Sequence, residues 1–487
     1  MILKKENLIL AEKLVVYNNF AEIDDLVGRL LVELQIYPIP RILWDFEILG
    51  MEVPQFHAVF ASESLLENFF LGHLIQVELL KLGEISRGAD ISSIAKGTAL
   101  RTYLDLDDPE TLSHKFNFCL TNTRFQRIFH CHSLQEDCNG GVLKGIPLNS
   151  KWAINLEIGE QACKWLDMRE DNVGTYLTGV GTLFQLKETE EAEELPESLT
   201  NISINEAEEL LRNLGLLLSY ANGGFIAPVF IEGEKYTRYE SDENDLKSKS
   251  FISTDTTSSL IHTASQFTSL EKLGKSWLTE DSDLAVFISC FDSFEKMLAQ
   301  PFWRETFYFV LVQYFQATSS DNWELAASAT GAALERLSYA ILVEDENNLT
   351  TKARCELLFD IRRTDIAKTA WNLGRRAGQE HISTTGKRLR LMLERIGLTK
   401  SRGYFDIDFV QDFLSVRNDA VHPQVSEITL EDRYRAIMQA IQWIDDVLLW
   451  RLGYEGHYID RVTGSFPTLD NPNLNLRYDL SLRDSSW

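Results

Sequence analysis

Residues 415–424 read SVRNDAVHPQ. Arg417 and His422 stand five positions apart, with Asn418 directly after the arginine and Pro423 directly after the histidine. A guanidinium fork can hold two oxygens of one phosphate and oppose the charge that gathers there. An imidazole titrates close enough to neutrality to give or take a proton. On a helix, five residues separate the two side chains by roughly 7.5 Å along the axis. Both reach one phosphate-sized group once Pro423 loosens the last turn. The plainer reading is a polar helix end, where basic residues complement free carbonyls and the macrodipole.

The elements around the motif are helical. Phe409, Phe413, Val416 and Ala420 recur at steps of four, three and four, so a helix from Asp408 carries an apolar face with Arg417 beside it. From Asp281 onward the same periodicity is sustained. It runs through DLAVFISCFDSFEKMLAQ, WRETFYFVLVQYFQATS, NWELAASATGAALERLSYAILVED and KRLRLMLERIGL, and on to LEDRYRAIMQAIQWIDDVLLWRLGY. The expectation is a bundle over 281–465 with a tail at 466–487. Within it, Asp445 and Asp446 read as one exposed and one partly exposed position.

Residues 1–186 read as a β-rich or mixed domain. FNFCLTN, KWAINLEIG and GTYLTGVGTLFQL are short, rich in β-branched and aromatic residues, and bounded by Gly, Asn and Asp. LVGRLLVELQIYPIP and ESLLENFFLGHLIQVELLKLG are candidates for helices. The interval 187–280 reads as an acidic linker, a helix and a long polar loop, and it could belong to the first domain. Its helix, SINEAEELLRNLGLLLSYANGG, has capping-box spacing at Ser203 and Glu206 and a stop at Gly223–Gly224. The polar stretch 232–260 is expected to be a surface loop. The fold class is thus α+β and multidomain, a mixed or β-rich part followed by an all-α bundle.

Arg417, Asn418 and His422 on the penultimate helix of a bundle, followed by WRLGYEGHYID, resemble the HEPN superfamily, whose ribonuclease members carry Arg-x4-6-His with a polar residue after the arginine. AALERLSYAI, LGYEGHYIDR, RNLGLLLSYANGG and APVFIEG resemble its ApeA-like branch. The resemblance implies a metal-independent endoribonuclease, with tRNA among its possible targets, that acts in anti-phage defence, abortive infection or as a toxin. It implies a homodimer that brings two motifs together, with no cofactor. Arg417, Asn418 and His422 are the implied catalytic residues, and Glu335 is a candidate to orient Arg417. The chemistry suits these residue types. Attack by a 2′-hydroxyl needs a base, donors on the pentavalent phosphate and an acid at the leaving oxygen, and one histidine per bundle favours a pair of bundles. Position and the resemblance imply a sensor or regulatory role for residues 1–186, with a phage-derived trigger or a regulatory protein as the expected further partner. The alternative is a non-catalytic HEPN scaffold that dimerises or binds a nucleotide or another protein.

Charge sharpens the question. The chain carries a net −26, which argues against general affinity for nucleic acid or anionic membranes. Yet 351–403 holds 13 Lys or Arg against 5 Asp or Glu. Arg362, Arg363, Arg375, Arg376, Lys387, Arg388 and Arg390 are therefore candidates for an RNA-approach surface. His130, His132 and Cys138, in FHCHSLQEDC, are weak candidates for a metal, because adjacent residues do not readily turn to one tetrahedral ion. Scattered cysteines, an amino terminus broken by charges and no apolar run of membrane-spanning length suggest a cytoplasmic protein without a membrane partner.

Overall fold

The computed structural model describes residues 13–23, 26–35, 41–49, 69–71, 75–87, 92–104, 112–121, 142–157, 178–185, 202–239, 251–262, 273–278, 281–345, 384–398, 409–422, 428–462 and 477–484. They fall into two compact units. The described residues up to Leu216 and from Phe225 to His262 make the first; Leu217–Gly224 and the residues from Leu273 onward make the second.

The first unit is one antiparallel sheet of twelve strands: β1 (Lys13–Ile23), β2 (Leu26–Gln35), β3 (Arg41–Leu49), β4 (Phe69–Leu71), β5 (Ile75–Arg87), β6 (Ser92–Leu104), β7 (Lys115–Thr121), β8 (Val142–Pro147), β9 (Trp152–Glu157), β10 (Thr178–Gln185), β11 (Ala227–Tyr239) and β12 (Phe251–His262). The strand order is β1-β2-β3-β6-β12-β11-β7-β10-β9-β8, with β5 also on β6 and β4 on β5. Side chains alternate across it. Ile42, Trp44, Phe46 and Ile48 are buried while their neighbours in β3 are not, and Leu30 and Val32 of β2 lie opposite Phe46 and Trp44.

Three expectations fail here. LVGRLLVELQ is β2 and not a helix, because Gly28, Leu30 and Val32 turn inward at period two. The second helical candidate contributes β4 and β5, with β5 paired to β6 from Ile75 to Arg87. The supposed surface loop at 232–260 supplies most of β11 and β12, which pair with each other from Phe230–Ile261 to Tyr239–Phe251 and sit mid-sheet between β7 and β6. Thr and Ser suit a strand whose polar side chains find partners. On β11, Glu234 accepts from Lys115 Nζ (2.6 Å) and Asn117 Nδ2 (2.5 Å) of β7. The acidic stretch at 187–201 lies outside the described residues.

Helix α1 (Ile204–Asn222) begins with the expected capping box. The Ser203 backbone N–H donates to Glu206 Oε2 (2.8 Å), and the Glu206 N–H donates to Ser203 Oγ (3.3 Å). It ends at Gly223, whose φ of +76° and close approach to the Gly274 carbonyl leave no room for a side chain.

The second unit is helical: α2 (Asp281–Ile288), α3 (Phe291–Leu298), α4 (Pro301–Ser319), α5 (Trp323–Tyr339) with a π turn at Ala340–Glu344, α6 (Thr384–Arg395), α7 (Val410–Val421) and α8 (Leu430–Leu452). Helix α8 is enclosed: every residue from Gln439 to Trp450 is buried. Its C-terminus closes with Gly453 at φ +74°, where the Gly453 and Tyr454 N–H groups donate to Trp450 O and Leu449 O, both at 3.0 Å. No helix among the described residues is long and apolar enough to cross a membrane.

Enclosure overturns the reading of Asp445 and Asp446, which are both 0% exposed. Asp445 accepts from Tyr220 Oη (2.7 Å), Tyr314 Oη (2.8 Å) and Arg461 Nε (2.5 Å). Asp446 accepts from Tyr458 Oη (2.8 Å) and pairs with Arg477 (3.2 Å). Burial, then the Asp445 charge, pushes the Tyr220 hydroxyl well up, so it remains a donor. Burial alone would pull the Arg461 pKa down, but Asp445 and the tyrosines beside it push it up and keep it a cation.

Candidate functional site

Helix α7 carries the motif and packs against α5 and α8 through Val410, Phe413, Leu414 and Val416. Phe413 meets the edge of the Trp443 ring on α8, with centroids 6.3 Å apart. The helix stops where expected. His422 has left helical geometry at φ −124° and ψ 80°, as a residue before proline tends to, while its N–H still donates to Asn418 O (2.7 Å).

Arg417 is 31% exposed and lies against α5. Its Nη2 donates to Glu335 Oε1 at 3.2 Å, and its Nη1 donates to Asn418 Oδ1 at 3.4 Å. Four residues before Glu335 stands Gly331. A Cβ there would lie 3.0 Å from Arg417 Cγ and 3.4 Å from Nε, so the bare glycine backbone is the bed on which the arginine stem rests. Gly331 and Glu335, one helical turn apart, therefore cradle Arg417. Asn418 and His422, also four apart, are exposed at the end of α7. A second tie holds this end in place. Asp419 pairs with Arg433 of α8 (3.7 Å), and the Arg433 guanidinium lies 4.3 Å from the ring centre of Trp323 at the start of α5.

The structure thus brings Arg417, Asn418 and Glu335 into hydrogen-bonding contact and places His422 on the same helix end. Glu335 is half-exposed, so its pairing serves orientation more than stability. With Nη2 on Glu335 and Nη1 on Asn418, two of the five guanidinium N–H groups are engaged, and the others are the donors available for an anion.

The described part of the basic island is not an open surface. Of its seven residues, three are described. Arg390 is 0% exposed, Lys387 is buried and Arg388 is half-buried. The reason lies in the neighbours of α6: Leu389, Leu391, Met392, Leu393 and Ile396 pack toward α5, α7 and the π turn, which covers the charged positions between them. Arg362, Arg363, Arg375 and Arg376 lie outside the described residues, as do His130, His132 and Cys138. Among the described residues no group of His, Cys, Asp or Glu is arranged to hold a metal. Burial pushes the Cys290 thiol up to about 12, which disfavours its thiolate form.

Two features escaped the sequence. Gly331 had a signal, a glycine inside an otherwise strong helix-forming run, ATGAALERL. The buried aspartates had none in their own window. Among families, the model described as the YopA C-terminal domain matches residues 300–469, a span that holds Glu335, Arg417, Asn418 and His422 together with the buried aspartates. No curated protein and no solved structure matches the chain.

Proposed function

We propose that the chain is an HEPN-type endoribonuclease that cuts RNA without a metal, by attack of a 2′-hydroxyl on the adjacent phosphorus. The observation that carries this reading is the seating of Arg417: Glu335 and Gly331 hold its stem and one face of its fork, beside an exposed Asn418 and His422. In the proposed reaction an imidazole takes the 2′-hydroxyl proton, and the oxygen forms a bond to phosphorus. Arg417 faces the equatorial oxygens as their negative charge grows. The bond to the 5′-oxygen then breaks, and that oxygen takes a proton from a second histidine. One motif supplies one histidine, so the reaction calls for a homodimer with two His422 side chains at one cleft. The products are a 2′,3′-cyclic phosphate and a 5′-hydroxyl. Defence against phage and toxin action are the settings that this activity suits, with a trigger or regulatory protein acting through the sheet unit.

A non-catalytic scaffold is the second reading, favoured by the net −26 and by the burial of Arg390 and Lys387, which remove part of the expected RNA surface. The test is cleavage of labelled tRNA and mixed RNA in EDTA by the full chain, beside Arg417→Ala and His422→Ala. Cleavage that survives chelation, disappears in both variants and leaves cyclic phosphate ends supports the nuclease. Equal cleavage by the variants overturns the site.

A further inference from the structure

The buried face of α7 stops at Val416. The turn beyond it carries Asn418 and Val421, both exposed, and leads into His422. A helix end without a buried apolar side chain frays unless something else holds it. Two charged contacts reach out from this turn. Arg417 donates to Glu335 of α5, and Asp419 pairs with Arg433 of α8 at 3.7 Å. In the proposed reaction Arg417 turns to an anion, so the second contact is the one that can hold the turn still.

That contact is built into a corner of three helices. Asn322 caps α5, its side chain accepting from the Leu325 N–H at 2.9 Å, which fixes Trp323 at the start of the helix. Thr429 caps α8 in the same way, its Oγ1 accepting from the Asp432 N–H at 3.2 Å, which fixes Arg433 one residue further on. Beside Arg433, Tyr434 Oη donates to Asp321 O (3.2 Å) and joins the start of α8 to the turn before α5. Between these two capped starts the Arg433 guanidinium lies 4.3 Å from the Trp323 ring centre, with 17% of its side chain exposed. A flat guanidinium lies on a ring and still offers N–H groups at its edge to a carboxylate, which a lysine ammonium does not. An ion pair of this length adds little to global stability. What it fixes is the last turn of α7 relative to α5, the helix that carries Gly331 and Glu335.

We propose that Trp323, Arg433 and Asp419 form a brace that positions Asn418 and His422 against the seat of Arg417. Asp419 stands one helical turn before His422, so a hold on its carboxylate is a hold on the turn that presents the imidazole. The three are positioning residues: they act through that turn and not on the substrate. Their effect on cleavage rests on the ribonuclease reading, whereas their effect on the end of α7 does not.

The test uses the full chain with Arg433→Leu, Trp323→Leu, Trp323→Phe and Asp419→Asn. Hydrogen exchange read by mass spectrometry follows the peptide 414–422, whose His422 N–H is bonded to Asn418 O, with the enclosed stretch Gln439–Trp450 as internal control. Exchange at the α7 end should rise about 5- to 10-fold in Arg433→Leu, Trp323→Leu and Asp419→Asn while the control stays unchanged. Trp323→Phe keeps a ring under the guanidinium and should stay within about twofold of the parent. In steady-state cleavage of labelled RNA, kcat should fall about 10-fold in the first three with KM within about twofold, because a misplaced group loses rate and not binding. Asp419 is partly exposed, so its variant remains informative if Trp323→Leu unfolds. Parent-like exchange of the α7 end in the Arg433 and Asp419 variants overturns the brace whatever cleavage shows. So does a parallel rise in the control, or a loosened end with unchanged kcat. If the parent cleaves no RNA, the ribonuclease reading falls, while a loosened end that Trp323→Phe keeps closed still upholds the brace.

Discussion

Replacing Gly331 by alanine separates the work of Arg417 from the stability of the bundle. The added Cβ would meet Arg417 Cγ at 3.0 Å and Nε at 3.4 Å, closer than the roughly 3.5–4.0 Å of an unstrained carbon contact. The arginine stem must then retreat by a few tenths of an ångström. Its bond to Glu335 is already 3.2 Å long, so a retreat in that direction carries it to the edge of hydrogen-bond range. A misplacement near 1 Å at a catalytic group costs on the order of 10²-fold in rate, and loss of a whole oxyanion donor about 10²–10³-fold. On the proposed ribonuclease reading, cleavage in Gly331→Ala should therefore fall by about 3- to 10-fold. Stability moves the other way: alanine gains about 1 kcal/mol over glycine inside a helix, against about 0–1 kcal/mol for a half-exposed ion pair. The assays are initial rates of RNA cleavage in EDTA and urea unfolding on the same preparation. Unchanged cleavage by the folded variant would refute the cradle, and a parallel loss of stability and rate would reduce it to a packing effect.

Other expectations follow from the same contacts. Glu335→Gln keeps an acceptor for Arg417 and should lose less than about tenfold in cleavage rate, whereas Glu335→Leu should lose about 10- to 100-fold. An equal loss in the two would mean that charge, and not orientation, is what Glu335 supplies. Asp445→Asn leaves Arg461 as a buried cation and should cost about 3–5 kcal/mol in urea unfolding; Tyr220→Phe should cost about 1.5–3 kcal/mol. A cost below about 1 kcal/mol for Asp445→Asn would contradict its enclosure. Asp412 has a raised pKa in the folded chain, so the fold binds its proton more tightly than the unfolded chain does, and its ionised form is penalised near neutral pH. Asp412→Asn should therefore raise stability at pH 7, by an amount that shrinks as the pH falls through the carboxyl range. Unfolding midpoints at a series of pH values check the sign, and a gain that grows on acidification refutes it.

What the sequence revealed about the fold depended on whether each signal was local. The helices of the second unit show in their own periodicity, and the Ser203–Glu206 cap and the Gly223 stop follow from residues within four positions. Strand β12 does not, because Ser, Thr and Asp in FISTDTTSSLIH look like a loop until β6 and β11 take up its backbone on both sides. Asp445 and Asp446 fail in the same way: their partners Tyr220, Tyr314 and Arg477 lie far along the chain. Within the basic island, Arg390 and Lys387 depart from the expectation because a charge count carries no burial, and Arg390 is enclosed by packing that only the assembled helices create.

The site divides along the same line, and the division bears on function. Arg417, Asn418 and His422 are legible together because one short helix end holds them all. The tail LGYEGHYIDR, which carries much of the HEPN resemblance, is explained by structure alone: Tyr458 and Arg461 satisfy Asp446 and Asp445, and the Tyr454 hydroxyl donates to His457 O (2.8 Å). A scaffold would need that tail as much as an enzyme would. Gly331 is different. Inside α5 a glycine sacrifices about 1 kcal/mol relative to alanine, and the nearest atoms that an alanine Cβ would meet all belong to Arg417. A helix that forgoes stability to seat one half-exposed arginine is the arrangement expected where that arginine serves a ligand, whether the RNA phosphate of the proposed nuclease or a nucleotide held by a scaffold, and the cleavage assay is what separates the two.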